Sequence, residues 1–304
     1  MKCAIVTGHT GFIGRQVVAR LIENNWRVLG IGRRAQPALQ WDGVAYHAWN
    51  GNQLDLLPAN WQETAFTWID LAWDMRRQPQ FVSHAEHLLR FATMLDSFSH
   101  RGLAAVVGVG SGEEYGQRGG IIQEDQPPEG RLNAYGWGKR AACEMLRCWN
   151  NLNGTPACWL RPFLVYGPGQ SGNMVVPYLL RQTMHGGVAQ LSDGEQQRDF
   201  VYVDDVAEAL VAAAESPQPQ FEIFNIGTGI ATPVRSVLSR IGEALGISDR
   251  VQFGAISRRP GEPDVQIADV KKAKQKLNWQ ARTNWIAGVQ KLVESALEGR
   301  KWAA

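Results

Sequence analysis

The chain has 304 residues, 44% of them hydrophobic and 20% charged, enough to bury a large core in one large domain or two smaller ones. Its 31 basic and 29 acidic residues leave a net charge of +2, so no whole-chain field recommends nucleic acid or a membrane surface as a partner. No apolar run nears the roughly 20 residues of a membrane span, and no signal-peptide pattern precedes the first strand. Cys3, Cys143, Cys148 and Cys158 show no Cys-x-x-Cys or zinc spacing, which points to reduced thiols in a cytoplasm and no metal.

Lys2–Thr7 is a short apolar run, expected as a buried strand. Gly8-His-Thr-Gly11-Phe-Ile-Gly14 follows, then Val17, Val18, Leu21 and Ile22 at helical spacing. Strand, glycine turn and helix together suit a pyrophosphate: small residues let backbone N–H groups approach it, and the helix N-terminus favours its charge. The second strand is expected over Trp26–Gly32. Dinucleotide folds that prefer NAD place Asp or Glu near the end of this strand, to hold the ribose 2′-hydroxyl. Here Gly32, Arg33 and Arg34 stand there, and two guanidinium groups suit a 2′-phosphate. The expected coenzyme is therefore NADP, with NAD the second choice.

Further strands are expected at Val44–Trp49, Thr64–Ala72 and Leu103–Val109. Gly51–Trp61 reads as a polar, part-helical connection, and Pro79–His100 as a long amphipathic helix. Strands alternating with helices imply a doubly wound parallel sheet, with ligands at the strand C-terminal ends. Those ends carry Gly8, Arg33, Ala72 and Ser111. His84 and His87, three apart on the long helix, have no further metal ligands in view. Trp41, Trp49, Trp61, Trp68 and Trp73 read as packing residues.

After the loop Gln126-Pro-Pro-Glu-Gly130, a helix is expected from Ala134 to about Asn150. It places Tyr135 and Lys139 four apart, on one face. An ammonium close to a phenol favours the phenolate and lowers its pKa, and a tuned phenol can donate or accept a proton. Gly136 and Gly138 work against this helix, at about 1 kcal/mol each relative to Ala. Pro156–Arg161 is a sixth strand, after which the pattern becomes irregular. Helices are expected near Met174–His185, Val206–Ala214, Val234–Leu245 and Trp285–Leu297, and strands at Ala189–Leu191 and Phe221–Ile226. Lys271-Lys-Ala-Lys-Gln-Lys276 reads as a solvated helix face. The division expected is a dinucleotide-binding domain over 1–165, completed by about 198–226, with 166–197 and 227–304 as a smaller substrate-binding lobe.

These motifs in this order resemble the extended short-chain dehydrogenase/reductase family, the NAD-dependent epimerase/dehydratase group acting on nucleotide sugars. The marks are Thr7-Gly-His-Thr-Gly-Phe-Ile-Gly14, Ser111-Gly-Glu-Glu-Tyr-Gly116, Tyr135-x-x-x-Lys139, Arg161-Pro-Phe-Leu-Val-Tyr-Gly-Pro-Gly169, Arg198-Asp-Phe-Val-Tyr-Val-Asp-Asp205 and Asn225-Ile-Gly-Thr-Gly229. The resemblance implies a Rossmann sheet with a C-terminal substrate lobe. It makes Tyr135 the acid/base on a sugar hydroxyl or ketone and Lys139 the holder of the nicotinamide ribose. Ser111 would bond the same sugar oxygen as Tyr135, with Glu113 as a further polar group. Gly8, Thr10, Gly11, Phe12, Ile13 and Gly14 would form the pyrophosphate turn, Leu71, Ala72 and Phe163 would line the coenzyme, and Arg198 and Arg259 would bind the substrate diphosphate. Relatives pair through their two long helices, which implies a homodimer. The sequence departs from the pattern at Leu164, Asp70, Asn50, Asn52 and Gly138. The expected activity is NADP-linked reduction of a nucleotide-linked 4-keto-6-deoxy sugar. The alternatives are a 4-epimerase, a 4,6-dehydratase and a dinucleotide-sensing protein without turnover. Gly112 stands where dehydratases carry the side chain that assists water loss.

Overall fold

The computed structural model describes residues 1–33, 37–38, 40–49, 57–58, 61, 64–73, 80–170, 174–184 and 186–299. Arg34, Asn50, Asn52, Pro79, His185 and most of the expected connection 51–61 lie outside the described residues. The elements up to the middle of the chain are β1 (Cys3–Thr7), α1 (Phe12–Glu23), β2 (Arg27–Gly32), β3 (Val44–Ala48), β4 (Phe66–Asp70), α2 (Phe81–Ser99), β5 (Leu103–Val109), β6 (Gly120–Ile122), α3 (Ala134–Asn153) and β7 (Ala157–Pro162). The second half adds β8 (Leu164–Tyr166), α4 (Val175–Met184), β9 (Ala189–Gln190), β10 (Gln197–Arg198), β11 (Phe200–Tyr202), α5 (Val203–Glu215), β12 (Glu222–Ile226), β13 (Thr232–Pro233) and α6 (Val234–Ala244). It closes with β14 (Val251–Gln252), β15 (Val265–Ala268), α7 (Lys271–Leu277) and α8 (Trp285–Leu297).

Seven strands form one parallel sheet in the order β12-β7-β5-β4-β1-β2-β3. Successive side chains on a strand face opposite ways, so each strand feeds two cores. Ala4 and Val6 of β1 pack with Val17, Leu21, Val206 and Leu210 of α1 and α5. Cys3 and Ile5 pack on the other side with Trp68, Phe91, Phe98, Leu146 and Trp159, under α2 and α3. The strand order reverses between β1 and β4, and a crevice for ligands opens at such a point. Gly8 and Leu71–Ala72 stand at those two strand ends.

A third core holds the smaller part: Tyr166, Leu179, Phe200, Leu238 and Leu292 bring α4, α6 and α8 onto β8 and β11. A four-stranded sheet, β13-β10-β15-β6, links this part to the loop after β5. Neither β6 nor β15 was expected, since three or four residues cannot display a period. Two of the sequence motifs meet at Asp199, which is buried. Its carboxylate accepts from the Thr228 N–H and hydroxyl, both at 2.7 Å, and from the Gly229 N–H at 2.9 Å. The expected basic helix is α7. Ala273 and Leu277 fix its inner side in the first core, and Lys272 and Lys276 pair with Glu222 of β12.

Candidate active site

The turn between β1 and α1 is built only of what glycine allows. Gly8 has φ +73°, and a Cβ there would lie 2.6 Å from the Leu71 carbonyl carbon. A Cβ on Gly14 would lie 2.1 Å from the Gly8 oxygen. The Gly11 N–H closes the turn by donating to the Gly8 carbonyl at 2.9 Å. No side chain caps α1 at Gly11, so the first-turn N–H groups of Phe12 and Ile13 remain for an anion. The donor set suits a pyrophosphate, and the turn therefore fits a dinucleotide. Leu71 joins it by donating its N–H to Thr7 O at 3.0 Å. Arg33 follows β2 as an exposed residue.

The candidate reaction centre lies where β5 ends and α3 begins. Ser111 caps a short 3-10 turn over Gly112–Tyr115 and accepts from the Glu113 N–H at 3.2 Å. Asn133 caps α3 through the Gly136 N–H at 2.7 Å, and its amide donates to Glu113 Oε2 at 2.9 Å. That ties the Ser111 turn to the first turn of α3, which carries Tyr135. A Cβ on Gly136 would lie 2.5 Å from the Glu113 oxygen, so the glycine permits this approach. The Tyr135 phenol meets the Ser111 side chain. Burial pushes the phenol well above its ordinary value, Ser111 pulls it back, and Glu114 and Glu113 add to the rise.

Lys139 corrects one expectation. Its ammonium lies over the Tyr135 ring but does not lower the phenol. It donates to Val109 O at 2.7 Å and stands 4.2 Å from the centre of the Trp73 ring, but 6.0 Å from that of Tyr135. Burial lowers Lys139 to about 8, with Asp70 and Glu114 opposing the fall. The protein alone thus keeps the phenol protonated and the ammonium easily discharged.

Trp73 packs against the second core as expected, and it also faces the site. Its indole donates to His84 Nδ1 at 3.2 Å, stacks on His87 at 4.9 Å between centres, and meets Tyr135 edge-on at 6.4 Å. The two histidines of α2 thus hold a wall of the site. Gly138 makes room for it: a Cβ there would lie 3.0 Å from both Trp73 Cζ2 and His84 Cβ.

Beneath Ser111 lies a buried ion pair that motif reading passed over. Glu114 Oε2 accepts from Arg161 Nε at 2.8 Å. Its Oε1 accepts from Trp159 Nε1 and from the Ser111 N–H, each at 2.9 Å. Arg161 also donates to the Tyr115 hydroxyl at 2.9 Å, and that hydroxyl donates to Asn225 Oδ1 at 2.6 Å. A readable signal was there: an arginine inside the apolar run Cys158-Trp-Leu-Arg161 must find a partner. Phe163 sits beside Tyr115, 6.2 Å between ring centres, and lines the space over Gly112.

Of the two expected diphosphate ligands, Arg198 is held by Glu262 at 2.7 Å and by Pro263 O at 2.9 Å. Arg259 is exposed on the same loop as Glu262. Its neighbour Arg258 is engaged with Asp193 and Asp264, both at 2.7 Å.

A tyrosine, a serine and a lysine thus gather at the C-terminal ends of the parallel strands, on the same sheet as a glycine-lined turn that suits a dinucleotide. The family model described as "NAD dependent epimerase/dehydratase family" matches residues 4–227, and the chain belongs to that family of enzymes. It is 25% identical to a UDP-glucose 4-epimerase of Mycolicibacterium smegmatis, over 95% of this chain and 97% of that one. It is 29% identical to a dTDP-6-deoxy-L-talose 4-dehydrogenase (NAD(P)(+)) of Kitasatospora kifunensis, over 94% and 93%. The solved structure of MoeE5 with UDP-glucuronic acid and NAD superposes with a TM-score of 0.85 at 30% identity, covering 97% of this chain and 99% of that one. Most of the named relatives are 4-epimerases.

Proposed function

We propose that the chain is a nucleotide-sugar 4-epimerase, in preference to the 4-keto reductase expected from the loop arginines. The observation that carries it is the Ser111–Tyr135 pair, fastened to α3 through Asn133, beside a turn that fits a dinucleotide. A dinucleotide held there would supply a nicotinamide able to accept a hydride from the sugar carbon and give it back to that carbon's opposite face. Tyr135 moves the matching proton at the sugar oxygen, and Ser111 holds that oxygen in line. Lys139, held now by the Val109 carbonyl, would be the residue to take a ribose hydroxyl of the coenzyme and add positive potential at the phenol. Leu71, Ala72 and Phe163 line the coenzyme, and Arg198 and Arg259 answer the diphosphate once Glu262 gives way. Coenzyme binding falls to 1–165, completed by about 198–226, and the sugar nucleotide to 166–197 and 227–304, with Arg198 at the border between them.

Dehydration needs a second acid beside the sugar, and Gly112 offers none. Glu113 is exposed and committed to Asn133. A reductase remains the second reading, favoured by the talose dehydrogenase likeness and by Arg33, which suits NADP. The test offers UDP-glucose, UDP-glucuronic acid and a nucleotide-linked 4-keto-6-deoxy sugar, with NAD or NADPH. Inversion of an unmodified hexose without added reductant supports the epimerase. Stoichiometric NADPH oxidation by the keto sugar alone overturns it. Stoichiometric coenzyme binding with no turnover on any of them means a sensing protein.

The partner proposed is a second copy. Phe81, Val82 and Leu89 of α2 and Trp137 and Leu152 of α3 are exposed apolar residues, and Phe81 meets Trp137 at 5.6 Å between ring centres. Such a patch on two long helices suits a four-helix homodimer contact. A monomer mass by light scattering at working concentration would count against it.

A further inference from the structure

We infer that the His9 imidazole is the ribose-hydroxyl acceptor for the adenosine half of the coenzyme, taking the place of the acidic side chain usual at the end of β2. The inference deepens the dinucleotide reading above and rests on it. Two glycines in β2, Gly30 and Gly32, weaken a strand unless something needs their space. His9 needs it. A Cβ on Gly30 would lie 2.9 Å from His9 Cγ, and one on Gly32 would lie 3.0 Å from His9 Cε1. The imidazole thus fills the volume into which a side chain at position 32 would project. That is where NAD-preferring folds carry the carboxylate that accepts from the ribose.

The ring is 1% exposed. Its Nδ1 faces Ile31 O at 3.3 Å, and a carbonyl only accepts, so Nδ1 carries the proton. Nε2 therefore keeps its lone pair, and among the described residues it has no hydrogen-bond partner. A buried acceptor left alone is costly, so the arrangement calls for a donor from a ligand. Burial holds the imidazole below its ordinary pKa, against the carbonyls of Ile31 and Val6, and so neutral near pH 7. The Tyr46 ring of β3 closes the other side, 5.5 Å away between centres, and Arg33 follows at the end of β2. A neutral acceptor suits a hydroxyl. It suits a 2′-phosphate poorly, because phosphate oxygens also accept. His9 and Arg33 thus pull the coenzyme choice in opposite directions, His9 toward the free hydroxyls of NAD.

The test uses the full chain without sugar and measures dissociation constants for NADH and NADPH by nicotinamide fluorescence. His9→Leu keeps most of the volume and removes the acceptor. NADH should bind about tenfold more weakly, the equivalent of one hydrogen bond, and NADPH should change less than about twofold. The double variant His9→Gly with Gly32→Asp returns an acceptor to the same place and should recover NADH affinity. An unchanged NADH constant in His9→Leu, equal losses for both coenzymes, or no recovery in the double variant overturns the role of His9. A wild-type chain that binds neither coenzyme would overturn the dinucleotide reading itself.

Discussion

Glu114→Gln should both loosen the fold and slow the reaction. The change keeps volume and one oxygen but removes the charge that faces Arg161. Glu114 is 0% and Arg161 2% exposed, so water cannot replace the lost partner. Burial works to discharge Arg161, and the Glu114 carboxylate, with smaller help from Tyr115 and Cys143, offsets this and holds the guanidinium above its ordinary value. Removing one member of a buried pair costs about 3–5 kcal/mol. Unfolding entropy of roughly 2.1 cal/mol/K per residue gives about 0.64 kcal/mol/K for a chain of 304 residues. The melting temperature should then fall by about 5–8 °C. Because Glu114 Oε1 also fixes the Ser111 N–H at 2.9 Å, kcat should fall by about tenfold or more, with coenzyme affinity preserved. Scanning calorimetry and steady-state turnover read the two effects. Glu23→Gln serves as a control, since it breaks an exposed pair with Arg20 at 3.1 Å and should shift melting by under about 2 °C. A shift in Glu114→Gln no larger than in that control would refute the argument.

Tyr135→Phe removes the proposed proton donor and little volume; turnover should drop at least about a hundredfold with coenzyme affinity little changed, and near-normal kinetics would end the acid/base role. Lys139→Met should weaken coenzyme binding in direct titration, and its effect on stability should depend on pH. The folded-state value of Lys139 is depressed to about 8, so the stability linked to it is present above the unfolded-state value near 10.5 and lost as pH falls through 8. The melting temperature of Lys139→Met relative to wild type should therefore decline as pH rises from 7 to 10, and a pH-independent difference would contradict the burial of the ammonium. Gly138→Ser should destabilise by about 1–3 kcal/mol through overpacking against Trp73 and His84, and Trp73→Ala should cost less stability alongside Gly138→Ser than alone; a neutral single variant would place the indole elsewhere.

How much could be read from the sequence depended on how far a signal reaches along the chain. β5 at Leu103–Val109 and α8 at Trp285–Leu297 were legible at both ends, because their limits are local. Gly102, at φ +83°, turns the chain into β5, and the Asn284 side chain caps α8 through the Ala287 N–H. The pair Tyr135 and Lys139 was legible for the same reason, being one helical turn apart. Its electrostatics were not. The ammonium's partners, Val109 O and the Trp73 ring, come from β5 and from the segment after β4, and no spacing on α3 announces them. The Glu114–Arg161 pair joins residues 47 apart, brought together because β5 and β7 are neighbours in the sheet.

The glycines show where the sequence said more than a local reading could extract. Gly138 counts against α3 when judged by propensity alone, and Gly30 and Gly32 count against β2. In the fold each gives space to a ring from elsewhere: Trp73 at Gly138, His9 at Gly30 and Gly32. Propensity treats the missing side chain as a defect of its own element. Packing treats it as the complement of a large one on another element, and the second account explains why both exceptions lie beside the proposed site. It also makes the two pairs testable as units. Substituting the glycine alone should do harm that removing the facing ring relieves, whereas a glycine kept only for backbone freedom would show no such coupling.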